Sequence, residues 1–152
     1  MNLPRITRHL LTTHWQLHRA FGPATLEAIE AAVRDSEGRH TGKVRFAVES
    51  ALHGRRLLRD QTAAERALEV FAGLHVWDTD HRNGVLIYLL LADRAVEIVV
   101  DRAAHRSVPP QIWHDICRQM ESEFRAGCYQ EGVLQGIRSV TDALHGSFPA
   151  VV

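Results

Sequence analysis

Three polar stretches of this chain carry residues able to do chemistry: SEGRHTG at 36–42, DTDHRN at 78–83 and DRAAHRS at 101–107. Between them they hold Glu37, His40, Asp78, Asp80, His81, Asn83, Asp101 and His105. Carboxylates and amide carbonyls are hard donors, and a divalent cation such as Ca²⁺ or Mg²⁺ takes about six or more oxygens. Asp78, Asp80, Asn83 and Asp101 can supply several, so they are the candidate metal ligands, with Ca²⁺ the first expectation and Mg²⁺ the next. The same residue types also make Asx-turns and caps, which is the alternative reading of any such loop. The spacing is not that of an EF-hand: counting from Asp78, the fifth position is Arg82, the glycine comes one place late and the twelfth position is Leu89.

Other chemistry is thinner. His14 and His18 stand four apart, a spacing that can chelate a transition metal on one helix face, but no third ligand lies nearby in sequence. They read as exposed helix histidines, and His114 beside Trp113 reads as boundary packing. No nucleophile stands out: there is no G-x-S-x-G and no glycine-rich phosphate loop. Arg5, Arg8, Arg19, Arg55, Arg56 and Arg59 could form a basic surface or simply a solvated face.

The elements that must position the three polar stretches centre on NGVLIYLLLADRAVEIVVD, residues 83–101. Residues 85–91 are an unbroken apolar run, and a strand apolar on both sides must be covered on both faces. Residues 95–100 form a second strand, joined through Ala92-Asp93-Arg94 as an antiparallel hairpin. Residues 43–49 alternate, with Val44, Phe46 and Val48 on one face. Thr62 and Glu65 make a capping box for a helix over 62–76 with Leu68, Phe71 and Leu74 inward. A strand–helix–strand unit of this kind makes strands 43–50 and 85–91 parallel. Helices are predicted over 3–21, 24–35 (Leu26, Ile29 and Val33 inward), 111–126 (Ile112, Ile116, Met120 and Phe124) and 129–145 (Val133, Ile137, Val140 and Leu144). The fold class is α/β: a three-layer α/β/α, Rossmann-like sandwich around a small mixed sheet with a central hairpin, plus an extra N-terminal helix. Residues 1–22 are that helix, packed on a single domain over 23–150. In this topology the loops entering the first and second strands and the loop leaving the third emerge at one sheet edge, which brings the eight polar residues together.

Composition bounds the function. The chain has 152 residues, enough for one cored domain, with 18 acidic and 18 basic residues. Zero net charge gives no field to steer nucleic acid, and no apolar run is long enough to span a bilayer. The N-terminus has no apolar signal-peptide core. Cys117 and Cys128 are too few for a disulfide framework, and Cys117 falls on an apolar helix face, which suits a reducing cytoplasm.

GKVRFAVES, ALEVFAGLHVWDTDHRNGVLIYLLL and EIVVD together resemble the TPM domain, a family named for a thylakoid lumen protein, a photosystem II repair protein and a nematode receptor modulator. The resemblance maps to residues 42–48, 67–71, 83–91 and 93–100, and extends over about 26–144. It implies the same α/β/α sandwich. It further implies a sheet-edge groove that in some members holds calcium or serves an acid phosphatase, while other members act in repair or assembly of membrane complexes. Carried over, it supports Asp78, Asp80 and Asn83 as groove residues. The family's Gly-Tyr-Gly-x-Glu is here Asp101-Arg102-Ala103-Ala104-His105, and Lys43 stands where the family has Glu, departures that set the chain apart from the phosphatase pattern. The expectation is a stand-alone cytoplasmic binding or assembly module with a protein partner and a divalent cation in its groove. The alternative is a metal-dependent phosphomonoesterase with His81 or His105 as general acid. A third class, a helical interaction protein, would use the N-terminal helix around Trp15.

Overall fold

The computed structural model describes residues 2–11 and 14–151, with only the backbone described at 14 and 15. The expectations placed on His14 and Trp15 therefore lie outside the described side chains. The elements run α1 (Leu3–Leu11), α2 (His14–Ala20), α3 (Pro23–Glu37), β1 (Lys43–Glu49), α4 (Arg55–Leu58), α5 (Ala63–Gly73), β2 (Gly84–Leu90), a 3₁₀ turn (Leu91–Asp93), β3 (Ala95–Val100), α6 (Arg102–Ser107), α7 (Pro110–Arg125) and α8 (Tyr129–Ser147). The sheet order is β1-β2-β3. β1 pairs parallel with β2 from Lys43 opposite Gly84, and β3 pairs antiparallel with β2 from Val100 opposite Val85.

Every residue of β2 is buried, and its alternation divides the core in two. Val85, Ile87 and Leu89 join Val44, Ile116, Met120, Phe124, Val133, Ile137, Val140 and Leu144 under α3, α7 and α8. Leu86, Tyr88 and Leu90 join Leu52, Leu57, Ala63, Ala67 and Val76 on the opposite face, where Ile6 of α1 also packs. The result is the three-layer α/β/α sandwich, with the sheet in the middle.

The N-terminal stretch is helical over Leu3–Leu11 and His14–Ala20, as expected for 3–21, and residues 12 and 13 lie outside the described residues. Several other helical details differ from the sequence reading. α5 meets the sheet through Ala63 and Ala67, with Phe71 partly buried, while Leu68 and Leu74 are exposed at 59% and 48%. Small side chains let the helix approach, and the leucines on its flank have no layer above them. α7 buries Trp113 and leaves Ile112 exposed, and Leu26 of α3 is also exposed. The stretch 53–61 contains the short helix α4, and 102–107 is helical rather than a loop.

Polar contacts lock the layers. The Tyr88 hydroxyl, fully buried, donates to Glu49 Oε1 at 2.7 Å, and Arg66 of α5 grips the same carboxylate at 2.7 and 3.0 Å. A second lock holds α1. Asp93 accepts from Arg5 Nε and Nη2 at 3.1 and 2.9 Å, from Arg8 Nη2 at 2.8 Å, and from His9 Nε2 at 2.7 Å. The Leu52 N–H donates to His9 Nδ1 at 2.9 Å. That bond fixes the neutral tautomer with the proton on Nε2, so the fully buried His9 is a donor to Asp93. Burial alone would raise the Asp93 carboxyl, but the hydrogen bonds from Arg5, Arg8 and His9 outweigh it and hold the group at about 2.

Gly84 opens β2 under a different constraint. A Cβ there would run into the Val76 carbonyl oxygen, because the chain entering the strand crosses directly over it.

Two predictions follow from these locks. Asp93→Asn should destabilise the fold by about 3 kcal/mol at neutral pH, since the largely buried guanidinium of Arg5 would keep only the more distant Asp60, at 3.9 Å, as counter-charge. A carboxyl held below its unfolded value stabilises the fold above about pH 4 and loses that contribution as pH falls towards 2, worth about 2 kcal/mol here. Urea unfolding across that range should show the gap between wild type and Asp93→Asn narrowing on acidification; a pH-independent gap would contradict the electrostatic account. In parallel, Gly84→Ala should cost about 2 kcal/mol or more through backbone displacement. Gly73→Ala, where a Cβ meets nothing, should be neutral or stabilising in the same assay.

Candidate functional site at the sheet edge

The register places the start of β1, the start of β2 and the end of β3 side by side, so the loops ending at Gly42 and Asn83 and the residue Asp101 do share one edge. The Asp101 N–H donates to the Gly84 carbonyl at 2.9 Å. Sharing an edge does not make the eight polar residues one cluster, and each has its own fate.

Asn83 is fully buried and ties two loops together. Its backbone N–H donates to Thr79 Oγ1 at 3.2 Å, and its Nδ2 donates to Thr41 Oγ1 at 3.0 Å. A Cβ on Gly42 would come within 2.7 Å of the Asn83 carbonyl oxygen, so the glycine before β1 is what allows this close approach. Among the described residues, Asn83 Oδ1 is buried with no hydrogen-bond partner. Asp101 is half-buried and caps α6, its Oδ1 accepting from the Arg102 N–H at 2.7 Å. Asp78 and Asp80 are exposed on the 78–83 loop. Among the described residues, no three His, Cys, Asp or Glu side chains come together as a metal-holding group. The donor atoms at this edge thus have the hard-oxygen character a divalent cation requires, but the carboxylates do not converge in this arrangement.

His40 turns inward. It is 3% exposed, and the Gly42 N–H donates to its Nδ1 at 3.1 Å. The ring proton is therefore on Nε2, which donates to Ser36 Oγ at 2.8 Å; Ser36 in turn lies 2.7 Å from Thr141 Oγ1, itself 2.6 Å from the Ile137 carbonyl. Burial lowers the pKa of His40, keeping it neutral. The Ser–His pair looks like a nucleophile and base but runs the wrong way, because the histidine donates to the serine. Glu37 leaves the edge by pairing with Arg45 at 2.7 Å.

His81 and Asp80 line a cleft of about 400 Å³ together with Arg82, Arg102, Ala103 and Arg106. His105 is exposed on α6 and does not line it. Arg82 has a left-handed backbone (φ 53°), and its carbonyl accepts from the Ala103 N–H at 2.9 Å, which fixes the 78–83 loop against α6. The arginines of this cleft were not among the residues singled out from sequence. Arg82 flanks Asn83, and Arg102 and Arg106 are four apart, a same-face spacing that becomes visible only once 102–107 is seen to be helical.

Elsewhere, a larger cleft of about 1240 Å³ lies between α1, α2 and the turn before α8, and its charged wall includes the Arg8–Asp93 pair of the α1 lock. Of the six arginines that could form a basic surface or a solvated face, Arg5 and Arg8 pair with Asp93 and Arg56 pairs with Glu69. His18 and His114 are exposed, while Trp113 is buried. Cys117 is half-buried with its thiol pushed up to about 12 by burial and by the nearby Glu97 and Glu121, so it is a poor nucleophile.

Comparison with known proteins agrees with this architecture. No curated protein matches the chain. Among solved structures, the BA42 protein from the psychrophilic bacterium Bizionia argentinensis superposes with a TM-score of 0.72 at 28% identity, over 83% of this chain and 82% of that one. The N-terminal domain of a protein from P. gingivalis superposes with a TM-score of 0.67 at 21% identity, over 84% and 78%, a likeness of fold. The family model described as the TPM domain matches residues 17–143, from within α2 into α8, and includes the whole sheet edge. The chain belongs to the TPM domain family.

Proposed function

We propose that this TPM domain is a binding module that works through the edge where the 78–83 loop meets Asp101, and that its ligand there is a divalent cation, Ca²⁺ ahead of Mg²⁺. The observation that carries the reading is Asn83 Oδ1, a buried acceptor without a partner among the described residues. Leaving such an atom unsatisfied costs about 1–3 kcal/mol, which a cation would relieve. Asp78 and Asp80 would bring the charge, Asn83 a carbonyl oxygen, and Asp101 the oxygen not used in its cap, with water and backbone carbonyls completing the shell. Among the described residues, no helix is long and apolar enough to cross a membrane. The reading keeps the cytoplasm as the compartment, which the two free cysteines suit, and a protein as partner.

The test is thermal unfolding of protein stripped of metal on a chelating resin, then supplied with millimolar Ca²⁺, Mg²⁺ or Mn²⁺. A cation at about 100 times its Kd should add about 2.7 kcal/mol of stability, and Asp78→Asn/Asp80→Asn should lose the response. Failure of every cation to shift the transition would sink the proposal. Hydrolysis of a phosphate monoester that Asp101→Asn abolishes would identify the module as the enzyme of the alternative reading.

A further inference from the structure

The 400 Å³ cleft is lined by three arginines, Arg82, Arg102 and Arg106, beside His81 and Asp80. Arg39, Arg45, Arg56, Arg66 and Arg138 each meet a carboxylate. Among the described residues, the side chains of Arg82, Arg102 and Arg106 do not, although Asp80 lines the same concavity. Arg102 and Arg106 stand one turn apart on α6, where like charges repel by about 0.2–0.5 kcal/mol in isolation. The bond from Ala103 N–H to the Arg82 carbonyl joins the two backbones, so all three arginines line one cleft. Like charges brought to one cleft repel, and an anion bound there would relieve the repulsion. Three positive charges against the one carboxylate leave a surplus of two. The planar guanidinium fork matches oxyanions through paired N–H···O bonds.

We infer that Arg82, Arg102, Arg106 and His81 form a receptor for a small, doubly charged oxyanion, the phosphate or dicarboxylate end of a small molecule. The inference rests on the arginines and stands whether or not the aspartates at the same edge hold a cation.

The experiment is calorimetric titration of the whole chain in metal-free buffer of low ionic strength with inorganic phosphate, sulfate and malonate, against chloride at matched ionic strength. Saturable binding of at least one dianion beyond chloride is expected; phosphate alone points to a phosphate group and malonate alone to a dicarboxylate. Each guanidinium removed should weaken binding about tenfold, in Arg102→Ala/Arg106→Ala and separately in Arg82→Asn, which keeps a residue tolerant of left-handed backbone. Arg55→Ala on α4 should bind as wild type. A response no larger than chloride, or one that survives in both the double variant and Arg82→Asn, overturns the inference. Using metal-free buffer separates this outcome from the failure or success of the cation reading.

Discussion

The constraint on which this structure depends is that β2 has no face turned to water. Seven consecutive buried residues, alternating Val85, Ile87 and Leu89 against Leu86, Tyr88 and Leu90, require apolar cover above and below. Burying each large aliphatic side chain is worth about 1.5–3 kcal/mol, so neither layer is optional. α3, α7 and α8 supply one cover, and α5 with α4 the other, against which Ile6 of α1 also packs. The hydroxyl of Tyr88 is the one polar tip on this strand, and the Glu49–Arg66 pair exists to receive it. The parallel entry of β1 and the antiparallel return of β3 follow from the same strand, and together they decide which loops come out at which end.

That hierarchy explains what could be read from the sequence. Long-period signals survived: the all-apolar strand, the Thr62–Glu65 capping box, the stripe Val133, Ile137, Val140 and Leu144, and the TPM resemblance carried by Asn83-Gly84-Val85-Leu86. Choices between neighbouring apolar positions did not, because they depend on what lies opposite. α5 uses alanines where leucines were expected, and α7 uses Trp113 where Ile112 was expected, since only a layer's actual presence makes a face internal. Asp101 carried a readable signal, an aspartate ahead of a short helical stretch, but it looked like a ligand before it looked like a cap.

The site was harder for a related reason. Sequence and topology correctly put three loops at one edge, yet proximity of loops says nothing about the direction of side chains. His40 goes down into a chain of hydrogen bonds, Glu37 sideways to Arg45, and Asn83 into the floor. Arg82, Arg102 and Arg106 share a cleft only because the Ala103 N–H bonds the Arg82 carbonyl, a contact that no spacing along the chain announces. What the edge combines, in consequence, is aspartates and arginines on both the 78–83 loop and the start of α6.

The attachment of α1 has a consequence for how the molecule comes apart. This helix leaves Leu3, Leu10 and Leu11 more than 60% exposed and reaches the second core through Ile6, so its hold on the domain is chiefly the charged knot around Asp93. Segments held by electrostatics and little apolar area open as separate units below the free energy of global unfolding. Amide hydrogens of α1 should accordingly belong to an early-opening unit, distinct from those of β2. The domain then has two tiers of order: a sheet with covers that is all-or-none, and an N-terminal clasp whose closure is set by solvent acidity and ionic strength.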